Sequence, residues 1–576
     1  MQTNREGRIA ALKSSLNSRV LVLDGPTGTA VHGMNLTAED YGGEAYEGCC
    51  ENLIRSKPEV LEAIMRSYLE AGADIVKTGT FSGSPMVLAE FGLESHYIEI
   101  NQGIAELARR LCDEFSTPDK PRWVAGSMGP TTKAISVTGG ITFEELVDNF
   151  EKQAEALYDG GVDYFLVETC QDTRNIKAAL LGIDRVNSRK AFALPIAVSG
   201  TIEPMGTMLA GQTTDALAIS LHHRDLLYIG LNCATGPEFM TDHIRTLAAI
   251  SPWPIACAPN AGLPDEDGHY LESPQMMSRV LGSFGEKKWL NVIGGCCGTT
   301  VEHIRAFHDL ATKLEPHKPT RFHGRSFLSG VEALEVTEET RPILVGERTN
   351  VIGSRKFKDL INQEKWDEAS EIARAQIKNQ AQIIDVCLAN PDRDEFSDMK
   401  SFLDSLVKKI SAPLMIDSTD EKVIEMALTY SQGKAIINSI NLEDGEERFE
   451  SVCPLARKYG AALVVGCIDD DPEQGMGVSL ERKLQIAERS YKLLTEKYGI
   501  PPEDIYWDAL VFPCGTGDEQ YAGSAVHTIE GVRALKEKFP GTKTVLGISN
   551  VSFGLPQAGR EVLNSVFLYH CIRAGL

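Results

Sequence analysis

Two adjacent cysteines in a glycine-rich turn, GGCCGTT at residues 294–300, and a third, Cys233, in GLNCATGP are the residues of this chain best suited to metal chemistry. Both motifs follow short apolar runs, at the ends of which α/β barrels carry their reactive groups. Three converging thiolates would leave one position open on a tetrahedral Zn²⁺, the pattern of a catalytic rather than a structural metal. A small thiol in that position would lose its proton at neutral pH and become a nucleophile. The pair also reads as two small packing residues, because adjacent cysteines lack the CxxC spacing of common zinc sites.

A second constellation is made of oxygen acceptors. Glu347, Asn350, Asp385, Asp417, Asn438, Asp508 and Asn550 stand at the ends of apolar runs in the second half of the chain, with almost no Lys or Arg among them. Such a mouth suits a ligand edge rich in N–H donors, because a carboxylate accepts paired hydrogen bonds from a ring amide and an amino group. A pterin has that edge. Taken singly, each of these residues could instead cap the helix that follows it.

Both sets need a scaffold that gathers strand ends, and the chain has the rhythm of one. β-Branched runs recur about every 30 to 45 residues with helical-period stretches between them, as in repeated βα units. The first half contains VLVLDGPTGT (20–29), ADIVKTGTF (73–81), WVAGSMGP (123–130), DYFLVETC (163–170), PIAVSGTI (195–202), YIGLNCAT (228–235), PIACAPNAG (254–262) and LNVIGGCCGTT (290–300). These eight predict a closed (β/α)₈ barrel over residues 1–320. The polar stretch LEPHKPTRFHGRS (314–326) has the composition of a connector, placed at 321–340, and the rhythm restarts after it. Seven further runs, ILVGERTN (343–350), AQIIDVC (381–387), APLMIDST (412–419), KAIINSI (434–440), AALVVGCI (461–468), DIYWDALV (504–511) and KTVLGISNVS (543–552), predict a second barrel over 341–576. The expected fold is therefore α/β, two consecutive (β/α)₈ TIM barrels, the second stopping before its eighth strand and leaving two unpaired edges.

Bulk properties agree with small-molecule chemistry. At 576 residues the chain exceeds one hydrophobic core, and 43 % hydrophobic with 24 % charged residues is ordinary for a soluble protein. No apolar run approaches the ~20 residues of a membrane span, and the N-terminus has no signal-peptide core, so the expected location is cytoplasmic with no membrane partner. A formal charge of −24 without a basic patch argues against a nucleic-acid partner. Thirteen cysteines without a secretory signal are expected to stay reduced. Cys170, Cys257 and Cys467, in strand runs, are expected in the core.

The ordered series LDGPTGT, AGADIVKTGTF, GSMGPT, VETCQD, SGTIEPMGTMLAGQT, GLNCATGP, PNAGLP and GGCCGTTVEHI resembles the homocysteine S-methyltransferase family along residues 18–310. The resemblance implies that Cys233, Cys296 and Cys297 hold Zn²⁺, that the homocysteine sulfur takes the open position, and that Asp24, Glu168 and Asn260 face the amino-acid part. One departure is Gly79 in KTGTF, where members of the family commonly carry Asn. The set VGERTNVIGSRKF, IIDVC, MIDST, INSI, DIYWDAL and GISNVSFG resembles the pterin-binding family of dihydropteroate synthases and methyltetrahydrofolate:corrinoid methyltransferases. Here the resemblance implies that Gly353, Ser354 and Arg355 line a folate site, that Asp417, Asn438 and Asp508 grip the pterin, and that Arg560 lies near the folate. Asn550 would sit close to N5 and act in catalysis. Asp508 is followed by Ala rather than the usual Pro, and Cys387 replaces a common Asn.

A homocysteine barrel fused ahead of a methyltetrahydrofolate barrel is the order found in the cobalamin-dependent methionine synthases. That order implies methyl transfer from 5-methyltetrahydrofolate through cobalamin to zinc-activated homocysteine. The corrinoid motif DxHxxG is absent around the twelve histidines, so cobalamin is expected from a module or protein outside this chain. Two alternatives remain: a homocysteine methyltransferase with another donor, such as S-methylmethionine or betaine, or a pterin- and zinc-binding piece without turnover.

Overall fold

The computed structural model describes residues 4–320 and 324–576. The chain divides near residue 320 into two compact units. In the first, eight parallel strands run in chain order around a barrel: β1 (Leu21–Val22), β2 (Ile75–Lys77), β3 (Trp123–Met128), β4 (Tyr164–Cys170), β5 (Ile196–Gly200), β6 (Tyr228–Asn232), β7 (Ile255–Ala258) and β8 (Val292–Ile293). β1 pairs with β8 through Leu21 opposite Val292, and a bridge between Leu23 and Ile75 joins it to β2, which closes the ring. Almost every strand residue is buried, as expected where side chains fill the barrel on one face and meet helices on the other.

The N-terminal helix Arg5–Ser18 seals the end of this barrel away from the cysteines. Asn4 caps it by accepting a hydrogen bond from Gly7 N–H at 2.8 Å. Leu12 and Leu16 join the interior cluster of Leu21, Ile75, Trp123, Tyr164, Tyr228 and Val292. The Trp123 indole donates to the Arg8 carbonyl at 2.9 Å, and Arg19 forks onto Asp74 with two bonds of 2.9 Å.

The second unit opens with a feature that composition hid. The described part of the 321–340 stretch contains an antiparallel hairpin, β9 (Ser326–Ser329) and β10 (Ala333–Val336); residues 321–323 lie outside the described residues. Leu328, fully buried, enters the core of the unit with Ile383, Met415, Ile436, Val464 and Tyr506. Seven parallel strands follow in order: β11 (Val345–Gly346), β12 (Ile383–Val386), β13 (Leu414–Asp417), β14 (Ile436–Leu442), β15 (Ala462–Asp469), β16 (Ile505–Asp508) and β17 (Lys543–Val545). No ladder joins β11 to β17 among the described residues. A cavity of about 550 Å³ runs from the mouth down this side, lined by Ile343, Val345, Val545 and Leu568.

Two unpaired edges and an internal void predict unequal stability of the units. Heating the chain is expected to give two transitions, the lower one from residues 340–576. Leu328→Ala should cost about 3 kcal/mol and move only the lower transition. A first barrel that melts at the lower temperature would refute the ordering.

Candidate functional site

The loops after β6, β7 and β8 are laced together by their backbones. Cys233 N–H donates to Ala258 O at 3.2 Å, Asn260 N–H to Thr235 O at 3.0 Å, Cys296 N–H to Pro259 O at 2.9 Å and Ala261 N–H to Cys297 O at 2.9 Å. Cys296 O is held further by the backbone and hydroxyl of Thr299. Gly298 has φ +77°, and a side chain there would run into the Tyr270 ring, so the glycine after the cysteine pair is a steric requirement. Cys233 and Ala234 take φ of 63° and 58°. Non-glycine residues in that region carry strain, which surrounding structure must hold in place.

The result is a cluster in which the sulfurs of Cys233, Cys296 and Cys297 lie within 4.8 Å of one another, with Cys233 and Cys297 3.8 Å apart. Two sulfurs each ~2.3 Å from one tetrahedral ion are about 3.8 Å apart. It is the one such group of three ligands among the described residues. The donor set therefore fits Zn²⁺ with a fourth position free. Hydrogen bonds from Cys233 and Cys296 draw the Cys297 thiol far below the usual range, while bonding to its neighbours and burial push Cys296 well above it. Asn232 lies under the cluster: its amide donates to Thr169 Oγ1 at 2.7 Å and reaches Cys296 Sγ at 3.8 Å, while its oxygen accepts from Ser199 at 2.6 Å and Thr169 N–H at 3.0 Å.

Asp24, Glu168 and Asn260 are all buried near this mouth. Asp24 follows β1, Glu168 lies in β4, and Asn260 sits in the loop after β7. One oxygen of Asp24 and the Oδ1 of Asn260 have no hydrogen-bond partner, and burial pushes the Asp24 carboxyl up to about 7. Gly79 has φ +64°, with Thr27 Oγ1 3.0 Å from where a Cβ would stand; glycine relaxes this tight turn. Sequence reasoning missed Lys77, whose ammonium stands 3.5 Å from Asp24 and 4.0 Å from Glu168. It missed Asn232 as well, hidden beside a cysteine that took the attention.

In the second unit Glu347, Asp385, Asp417, Asn438 and Asp508 line one cavity. Asn350 ties two of them, donating to Asp385 at 3.4 Å and Asp417 at 3.3 Å while its oxygen accepts from Ile352 and Gly353 N–H at 2.8 and 3.0 Å. Gly353 therefore adjoins the acids through Asn350, and Ser354 caps the helix Arg355–Asn362, whose first residue is exposed. Asn550 and Arg560 do not line the cavity. Asn550 is exposed on the turn Ile548–Ser552, and Arg560 donates to Ser549 O at 3.4 Å, next to it. Leu510, at φ 59°, donates its N–H to Asp508 at 2.9 Å. Buried Lys483 binds the carbonyls of Gly477, Ala509 and Leu510 behind Asp508, and nothing in its helical sequence marks it. The thiol of Cys387 donates to Asp417, a role an amide could fill.

Burial and the Asp417 charge push Asp385 up to about 8; burial puts Asp417 at about 6. Acids with raised folded values keep a proton that the unfolded chain has released. For Asp385, with an ordinary value of 3.8, the folded state holds the extra proton between about pH 4 and about 8. Stability of the second unit should therefore fall as pH rises through that window and level off above it. Asp385→Asn should raise its melting temperature by a few degrees at pH 8, change it little below pH 4, and flatten the slope. Equal slopes in the two proteins would exclude Asp385 as the source.

The profile of the homocysteine S-methyltransferase family matches residues 21–311, and that of the pterin-binding enzymes matches residues 346–576. The chain belongs to the homocysteine S-methyltransferase family and carries a pterin-binding domain behind that barrel. It is 37% identical to the methionine synthase of Mycobacterium tuberculosis over 567 residues, which is 97% of this chain and 47% of that protein. The chain thus spans about half the length of that relative. Among solved structures, the metallated form of the homocysteine methyltransferase MmuM from Escherichia coli matches at 21% identity and a TM-score of 0.41, over 50% of this chain and 96% of that one. Dihydropteroate synthase from Xanthomonas albilineans with 4-aminobenzoic acid matches at 15% identity and a TM-score of 0.31, over 42% of this chain and 86% of that one.

Proposed function

We propose that this chain carries the homocysteine and folate sites of a cobalamin-dependent methionine synthase. In this reading a methyl group leaves 5-methyltetrahydrofolate in the second barrel, is carried by cobalamin on a module or protein outside this chain, and reaches homocysteine in the first. The products are methionine and tetrahydrofolate. The thiol cluster is the observation that carries the reading: three sulfurs within 4.8 Å of one another, one pair of them at the 3.8 Å spacing of a tetrahedral ion, at the C-terminal end of the barrel strands. Zn²⁺ held by Cys233, Cys296 and Cys297 would lower the pKa of the acceptor thiol and keep it nucleophilic.

The chain's own groups do the remaining work. Asn232 and the laced loops hold the three sulfurs in place, and buried Asp24, Glu168 and Asn260 offer acceptors to the amino-acid end of the substrate. In the second barrel Asp417, Asn438 and Asp508 hold the pterin edge, and Asp385 and Asn350 orient them. Gly353, Ser354 and Arg355 flank one side, Arg560 the other. Asn550 donates to N5 with a bond that strengthens as the methyl departs, which favours the transition state. No described helix is long and apolar enough to cross a membrane, in keeping with a cytoplasmic enzyme.

The reading is tested with the purified chain. It should bind about one zinc, and zinc-loaded protein should consume added methylcobalamin when homocysteine is present, read by absorbance. Changing Cys296 and Cys297 together to Ala should remove both. Zinc-free protein that transfers no methyl group would overturn the proposal.

Folate binding is measured separately. Asp417→Ala should weaken 5-methyltetrahydrofolate by roughly 10- to 100-fold, as for a lost charge-assisted bond. Tight binding that this change leaves untouched would place the folate elsewhere.

A further inference from the structure

Behind the acids of the second mouth stands a cation that the reading above leaves without a task. Lys483, in the helix Leu480–Lys492, is fully buried. Its ammonium donates to Gly477 O at 2.7 Å and to Ala509 O, reaches Leu510 O at 3.5 Å, and lies 5.3 Å from the centre of the Phe512 ring. The helix Ser524–Lys538 makes room for it at Gly531, where a Cβ would stand 3.0 Å from Lys483 Cδ. A methionine would fill the same space without the cost of drying a charge.

What the ammonium holds is the turn that follows β16. Leu510 lies in the left-handed region at φ 59°, a conformation that a leucine keeps only when its surroundings enforce it. Its carbonyl is fixed from two sides, by Lys483 and by the Thr528 hydroxyl at 2.8 Å. So held, its N–H donates to Asp508 Oδ1 at 2.9 Å, which leaves the other oxygen of that carboxylate for a ligand in the cavity. The charge works in the same direction as the clamp. Burial pushes Lys483 down to about 8, against the attraction of Cys467 and Asp508, so the ammonium is ionised at neutral pH. Burial raises the Asp508 carboxyl, and the Leu510 N–H and the Lys483 charge pull it back toward the ionised form.

We propose that Lys483 is a positioning residue for the ligand of the second barrel: by clamping the carbonyls of Ala509 and Leu510 it fixes the turn that aims Asp508, and so sets how tightly the mouth holds a ring with paired N–H donors. This rests on the folate reading above, in which Asp508 grips the pterin. Lys483 itself touches no ligand; its whole effect passes through Asp508.

The test is a double-mutant cycle on the full chain at neutral pH, with 5-methyltetrahydrofolate as the probe. Lys483→Met should weaken binding roughly tenfold, as for a misdirected charge-assisted bond. In the Asp508→Asn background the same change should cost less than about twofold, because the link it acts through is already lost. A loosening of the whole barrel would weaken binding equally in both backgrounds. A loss as large or larger in the Asp508→Asn background overturns the proposal, as does no loss in either. Should Lys483→Met lose the lower thermal transition, Lys483→Gln, shorter and uncharged, takes its place with the same outcomes. An unaltered chain that binds no folate refutes the folate reading, and the melting temperatures of the second unit in the four proteins then decide the role of Lys483. Shifts in the double variant that fall short of the sum of the single ones by about 2 °C or more support it, and additive shifts overturn it.

Discussion

Three cysteine sulfurs held within 4.8 Å of one another are an unfavourable arrangement unless a cation joins them. As thiols they offer one another only weak S–H donors, and as thiolates they repel. Everything above β6, β7 and β8 reflects the need to keep them together. The backbone bonds between the three loops, the left-handed residues Cys233 and Ala234, and the glycine that lets Tyr270 close on Cys297 all resist the spreading of the cluster. Strain of this kind, roughly 1–3 kcal/mol per residue, persists only where the scaffold over-determines it. The closed ring of eight strands, completed by the bridge between Leu23 and Ile75, is that scaffold.

A barrel that works at one end must be sealed at the other, and the two units do this with unrelated elements. Leu12 and Leu16 of the N-terminal helix fill the first, and Leu328 of the β9–β10 hairpin fills the second. Each fully buried leucine contributes about 1.5–3 kcal/mol, so the segments ahead of each barrel are parts of its core. The second sheet differs in leaving β11 and β17 without a ladder between them, so its cavity opens along the wall as well as at the mouth. The acids gathered in that cavity rest on a weaker frame than the cysteines do.

The strands were legible because each is an apolar run stopped by glycine or a polar residue, a pattern short enough to survive in β1 and β8, two residues each. The hairpin at 326–336 escaped notice because its two four-residue strands in FLSGVEALEV are short, lie directly beside a polar connector and fall outside the 30- to 45-residue rhythm of the βα units. The cysteines could be paired with a metal from residue type and strand position. Lys77 could not be placed, since in one dimension it is only the polar end of a strand. Its meaning comes from barrel closure, which sets β2 beside β1 and turns its side chain toward a residue of β4. Lys483 and the proton on Asp385 were illegible for a related reason: both depend on burial, and burial belongs to the folded chain.

Both mouths bury acids, and each solves the resulting cost in its own way. A buried carboxylate without a partner is expensive, and it recovers either by pairing with a cation or by keeping its proton. The first mouth uses a cation, Lys77, between Asp24 and Glu168. In the second, no ion pair reaches Asp385 or Asp417 among the described residues, although Arg341, Lys536 and Lys543 also line the cavity, and burial and mutual repulsion leave Asp385 protonated near neutrality, while Asp417 ionises first. One of these acids then accepts hydrogen bonds while the other can donate one. An edge that mixes N–H donors with a carbonyl or ring nitrogen asks for that combination, whereas two ionised carboxylates would repel its acceptors. The proton that costs the second barrel stability at high pH thus also makes its acidic mouth a match for an edge that carries both donors and acceptors.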